Sequence, residues 1–185
     1  MLGSGRPGEP ATVIRLNPKT GERNMDELVW GLLPHDTVDS GSAPRPIHAR
    51  AETVQELPMF ADAFRRRRAI VPADQYAQKG TIGEQEGRHF RVSRVDGAPM
   101  AMAGLWESYV WPDGRIERTF CVITIAANEL MARIHDRMSV VLERDDWPLW
   151  LGEAPGDPVT LLRASAPGVL RLDQVGHGKR GGRRV

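Results

Sequence analysis

Apolar and polar residues alternate along most of the chain with a period of two. Residues 11–16, ATVIRL, and 27–33, ELVWGLL, read as strands joined across NPKTG, whose Asn, Pro and Gly supply turn geometry. The alternation returns in HFRVSR (89–94) and in MAMAGLWESYV (100–110), separated by VDGAP. After the turn WPDG (111–114) it returns again in RIERTFCVITI (115–125). Three stretches break it with helical spacing. PMFADAFRRR (58–67) places Phe60, Ala61 and Phe64 on one face, with Pro58 acceptable in a first turn. NELMARI (128–134) offers Asn128 as a cap, and DDWPLWLG (145–152) aligns Trp147, Trp150 and Leu151 before Gly152, which suits a stop. This order predicts an α+β fold, β-rich and mostly antiparallel, with a few short helices. The expected organisation is one domain over 11–175, after an irregular N-terminus (1–10) and before a basic, disordered tail (176–185).

Composition narrows the class. A chain of 185 residues fits one domain with a substantial core, and 41% hydrophobic with 26% charged residues is ordinary for a globular protein. No apolar run approaches the roughly 20 residues that span a bilayer, so no membrane partner is expected. The opening MLGSGRPGEP has no apolar leader, and the single Cys121 cannot form an internal disulfide, which together predict a cytoplasmic protein. The net charge of +1 conceals two basic blocks, FRRRRA (64–69) and GKRGGRRV (178–185). Such blocks attract polyanions, although a solvated helix end and a loose tail give the same composition.

Few side chains offer chemistry. In TFCVITI, alternation puts Phe120, Val122 and Thr124 on one face and Cys121, Ile123 and Ile125 on the other. Cys121 is thus expected to be buried, with a raised pKa and little reactivity. Trp30 and Trp106 read as packing, and Glu107 as the rim beside Trp106. In ARIHDRMSVVL (132–142), His135 lies between two arginines at the mouth of a strand. His35, Asp36, His48 and His135 are acceptable zinc ligands by type, but their spacing matches no ligand pattern, so neither metal nor cofactor is expected.

VWGLLP, IHARAET, RRRRAIVPADQY, AMAGLWE, FCVITIAAN and IHDRM follow one another in the order and approximate spacing of the SRAP family, the SOS response-associated peptidases that process abasic sites. The resemblance covers roughly residues 11–151. It implies a β-rich α+β domain with a groove for single-stranded DNA, acting on abasic sites, here as a monomer. It also implies a covalent reaction. A cysteine after the initiator methionine, exposed by autoproteolysis, attacks the ring-opened aldehyde, and its amine and thiol close a thiazolidine. Neighbouring acid and base groups move the protons.

Carried over by position, His135 matches the family histidine and Arg137 the arginine beside it that contacts phosphate. In HAR, His48 stands where the family has asparagine, and Arg50 matches the next arginine. Gln78, in PADQYAQ, stands at the family glutamate; it can hydrogen-bond but cannot transfer a proton at neutral pH. The expected site is therefore His135, His48 and Gln78 for chemistry, with Arg50 and Arg137 for DNA. Other positions depart further. MLGSGRPGEP aligns some tens of residues inside a typical member, so the cysteine strand is not in this sequence and Leu2 cannot serve as nucleophile. HDT (35–37) replaces aromatic residues that wedge against bases. Three readings follow: an enzyme whose start lies upstream; a non-covalent single-stranded DNA binder using Arg50, Arg137 and the arginine block; and an inactive member with an exposed strand edge.

Overall fold

A computed structural model describes residues 5–82 and 85–175; the basic tail expected at 176–185 lies outside the described residues. Strands β1 (Pro10–Leu16) and β2 (Arg23–Trp30) form an antiparallel hairpin from Pro10 opposite Val29 to Leu16 opposite Arg23. The expected turn closes it, with the Asn17 side chain accepting from the Lys19 N–H at 2.9 Å. β2 ends at Trp30, earlier than the sequence pattern suggests, because Gly31 turns away at φ 140° and its N–H donates to Phe120 O at 2.9 Å.

Beyond them run β3 (His48–Arg50), α1 (Pro58–Arg66), β4 (Arg68–Ala73), β5 (Tyr76–Ile82) and β6 (Gln85–Arg94). Then come β7 (Met100–Val110), β8 (Ile116–Ala126), α2 (Glu129–Ala132), β9 (Arg137–Ser139) and β10 (Val141–Leu142). The last elements are α3 (Trp147–Leu151) and β11 (Leu170–Gln174). β7, β4, β1, β2 and β8 pair in that order, and β8 returns to β7, so these five strands close into a barrel. The closing contact of β2 with β8 is parallel and short, Val29 opposite Thr119 and Trp30 opposite Phe120. A separate sheet, β11–β6–β5, packs on the barrel core through Phe90, Val92 and Leu170.

Period-two alternation builds two cores from the same strands. Val13, Leu28, Ala69, Val71, Trp106, Phe120 and Val122 fill one. Their neighbours Ile70, Ala103, Leu105, Cys121 and Ile123 face the other way, under Phe60 and Phe64 of α1 and Trp150 and Leu151 of α3. Trp150 is fully buried and its indole N–H donates to Ala69 O at 2.7 Å; truncating such a side chain to Ala costs about 3–5 kcal/mol. The helices stand where expected, Asn128 capping α2 by accepting from Met131 N–H at 3.0 Å and Gly152 ending α3 at φ 89°. On α1 the third buried residue is Ala63 rather than Ala61.

Two expectations change. The arginine block divides: Arg65 and Arg66 are 69% and 72% exposed, whereas Arg68 donates to Trp150 O (2.6 Å) and Phe64 O (2.7 Å) and ties α1 to α3. Arg67 donates to Glu107 at 2.8 Å and to Asp62, and Glu107 is 2% exposed, a buried acid rather than a rim residue. Alternation could not show this, because Glu107 is on the face of Leu105 and needs Arg67, between α1 and β4, to neutralise it. Among the described residues no helix is long and apolar enough to cross a membrane.

Candidate functional site

The site is assembled around the C-terminal half of β8. β3 lies parallel to one edge of it, with His48 opposite Val122 and Arg50 opposite Thr124. β9 lies antiparallel to the other, with Arg137 opposite Ala126 and Ser139 opposite Thr124. Residues directly opposite one another point to one side of a sheet. His48, Arg50, Thr124, Arg137 and Ser139 therefore share a face, while Ala49, between His48 and Arg50, is buried with Cys121 behind it.

Trp30 fixes the entry to β3. Its ring stacks on Phe120 with centroids 6.0 Å apart and meets His48 edge-on at 6.1 Å. Its indole N–H donates to Ile47 O at 2.9 Å, the carbonyl that also accepts from Val122 N–H at 3.0 Å. Trp30 is thus packing and site wall at once. Although its surface is exposed, desolvation by the atoms around it and then the proximity of His135 lower the His48 pKa, so its neutral form is favoured. The two histidines are brought together. The His48 side chain makes no hydrogen bond among the described residues.

His135 follows α2, its N–H bonded to Met131 O at 2.9 Å. Its Nδ1 lies 2.9 Å from the Arg137 backbone nitrogen and 3.1 Å from Asp136 Oδ1. A backbone N–H can only donate, so Nδ1 accepts from Arg137 and the neutral ring carries its proton on Nε2. Asp136, with its side chain 87% exposed, is then a neighbour rather than a hydrogen-bond partner.

The two arginines differ. The Arg50 guanidinium is exposed, with no hydrogen bond or ion pair among the described residues. Arg137 is held by Glu52 in a two-pronged ion pair (2.7 and 2.9 Å) and also donates to Thr124 O at 2.7 Å. That pairing lowers the Glu52 carboxyl to about 2. Glu52 was not singled out from sequence; it lies two residues after Arg50 in HARAET, and only the β3–β8–β9 register brings it to Arg137.

Gln78 is on β5, which approaches the site at Gly80. A Cβ there would lie 2.6 Å from Ile134 O, and the next N–H, of Thr81, donates to that oxygen at 3.0 Å. Gln78 donates to Lys79 O at 3.0 Å and bonds to neither histidine. Tyr76, on the same face of β5, is half-buried near Ser139 with its hydroxyl enclosed, and desolvation raises the phenol to about 12. His35 is elsewhere, with Nδ1 3.3 Å from Glu107 and 3.4 Å from Arg67. Among the described residues no group of three His, Cys, Asp or Glu is arranged to hold a metal. Cys121 is completely buried on the opposite face of β8, its thiol pKa pushed up by desolvation.

The model of the SOS response associated peptidase (SRAP) family matches residues 5–177. The chain belongs to the SRAP family. Abasic site processing protein YoqW of Bacillus subtilis is 34% identical over 134 residues, which cover 72% of this chain and 60% of the relative. Abasic site processing protein YedK of Escherichia coli is 29% identical over 154 residues, covering 83% of this chain and 67% of the relative. The match to the Bacillus relatives thus spans about 60% of their length. The crystal structure of a Bordetella bronchiseptica protein superimposes with a TM-score of 0.81 at 25% identity, over 96% of this chain and 89% of that one. One from Bacteroides thetaiotaomicron gives 0.80 at 22%, over 91% and 75%, a likeness of fold. The expected β-rich α+β SRAP fold is therefore the observed one.

Proposed function

We propose that this SRAP domain recognises abasic sites in single-stranded DNA and takes part in their processing. The observation that carries the reading is the common face of β8, which gathers His48, Arg50 and Arg137, with His135 near enough to His48 to influence its charge. Arg50 holds a flanking phosphate, Arg137 contacts a second when it leaves Glu52, and His135, with its Nε2 proton outward, serves proton transfer as the sugar opens to the aldehyde. His48 and Gln78 line the lesion as polar groups. The relatives' names, abasic site processing proteins, support the same substrate. The domain acts as a monomer in the cytoplasm on this reading, without cofactor.

The covalent step of the resemblance needs a thiol, and Cys121 is the one cysteine of the chain. Its burial behind β8 and raised pKa favour a second reading for this chain, non-covalent binding of the damaged strand. Incubation with an oligonucleotide carrying one abasic site, followed by intact-mass measurement and fluorescence anisotropy, tests both. A tighter complex with the abasic than with the intact strand is expected, and Arg50→Gln should weaken it. Equal affinity for both strands refutes lesion recognition; an adduct of protein plus oligonucleotide refutes the non-covalent reading.

A further inference from the structure

The opposite end of the barrel carries a second cationic recess. Arg15, Asn17, Lys19, Trp106, Ser108 and Arg118 line a cavity of about 380 Å3, within the roughly 300–1,000 Å3 typical of small-molecule pockets. Arg118 precedes Thr124 by six residues on β8, so the recess and the histidine face are about 20 Å apart at 3.3 Å per residue. Its floor is Arg15, only 5% exposed, whose guanidinium lies 4.2 Å over the Trp106 ring. Asp26 supplies one counter-charge at 2.6 Å, and Leu16 O accepts weakly at 3.5 Å, but the buried Arg15 Nε–H has no partner. A buried guanidinium donor left unmatched is costly, and a ligand oxygen removes that cost.

The rim adds charge without compensation. Lys19 and Arg118 are exposed and make no ion pair among the described residues, and Ser108 and Asn17 add polar groups. Trp106 is 7% exposed beneath Arg15, so no base can stack on it. Recognition here is by charge and not by aromatic contact. Two free cations beside a buried arginine already paired with Asp26 suit a compact dianion better than a diester that spreads one charge along a strand.

We propose that this barrel end binds a phosphate monoester, supplied either by a free nucleotide or by the 5′-phosphate at the end of a DNA strand. The site is independent of the abasic-site reading. Calorimetric titration of the full chain with deoxyadenosine 5′-monophosphate should show binding, and deoxyadenosine none. The variant Lys19→Gln/Arg118→Gln, changed only at exposed side chains, should keep its near-ultraviolet circular dichroism and bind the monophosphate at least about tenfold more weakly. Arg50→Gln should bind it as the parent does, whatever becomes of its DNA affinity. A 5′-phosphorylated oligonucleotide that displaces the monophosphate identifies the strand end as the source, and one that does not identifies the free nucleotide. Equal binding of nucleoside and nucleotide, no binding by the parent, or equal affinity of parent and double variant overturns the proposal.

Discussion

Glu52→Gln isolates the ion pair at the edge of the site. The substitution keeps shape but removes the charge that holds Arg137 at 2.7 and 2.9 Å. Taken at face value, the displacement of the carboxyl from its ordinary 4.5 to about 2 corresponds to about 3 kcal/mol. Glu52 is 47% exposed at its side chain, so solvent screening reduces the contribution to about 1 kcal/mol. The melting temperature of a domain this size should fall by about 2–4 °C. The pH dependence has a definite sign. The folded-state pKa is depressed, so the parent's extra stability is present above pH 4.5 and lost as pH falls toward 2; the variant should lack that slope. DNA binding should move the opposite way, because a phosphate no longer has to displace a carboxylate. Recovering about 1 kcal/mol is about fivefold in affinity, and because salt screens the competing carboxylate the gain is largest at low ionic strength, which steepens the salt dependence of the variant. Anisotropy titrations across a salt series, with thermal melts at several pH values, measure both. Unchanged affinity and an unchanged salt slope would remove Arg137 from the phosphate contacts.

His135→Ala should leave intact-strand affinity near the parent value and reduce the preference for abasic DNA, by anisotropy; an unchanged preference would remove His135 from lesion recognition. Gly80→Ala forces a Cβ to 2.6 Å from Ile134 O, so a loss of about 1–3 kcal/mol is expected in urea melts, with faster amide exchange at Thr81; a neutral melt would show that β5 does not brace the His135 turn. Glu107→Ala leaves Arg67 partly buried without its main acceptor and should cost about 3–5 kcal/mol; a loss below 1 kcal/mol would mean that Asp62 and solvent replace it. Cys121 should react with a thiol reagent at neutral pH only as fast as the barrel opens, since burial raises its pKa and hides its sulfur; rapid labelling of the native protein would contradict that placement.

Long periodic elements were legible from residues alone. The two faces of β8 could be read from TFCVITI, and with them the inertness of Cys121; α1 and α3 could be read from aromatic spacing and from Gly152. β3 and β9 could not, because three residues carry too little alternation to show a period. That gap matters, since those two strands deliver His48, Arg50 and Arg137. Their residue types were legible through the family resemblance, but their common face is a consequence of register on β8. Glu52 and Glu107 were missed for a related reason. Each acid is explained by an arginine distant in sequence or across a turn, and no local pattern announces such a partner.

The barrel closes through only two residue pairs between β2 and β8, one of them Trp30 with Phe120. A breathing motion that parts this short join also parts the stacked rings and withdraws the indole that holds Ile47. Transient opening of the scaffold and momentary disassembly of the histidine face are then one event. Amide exchange at Phe120 and Val122 would report how often the histidine face comes apart, as well as how firmly the protein is folded.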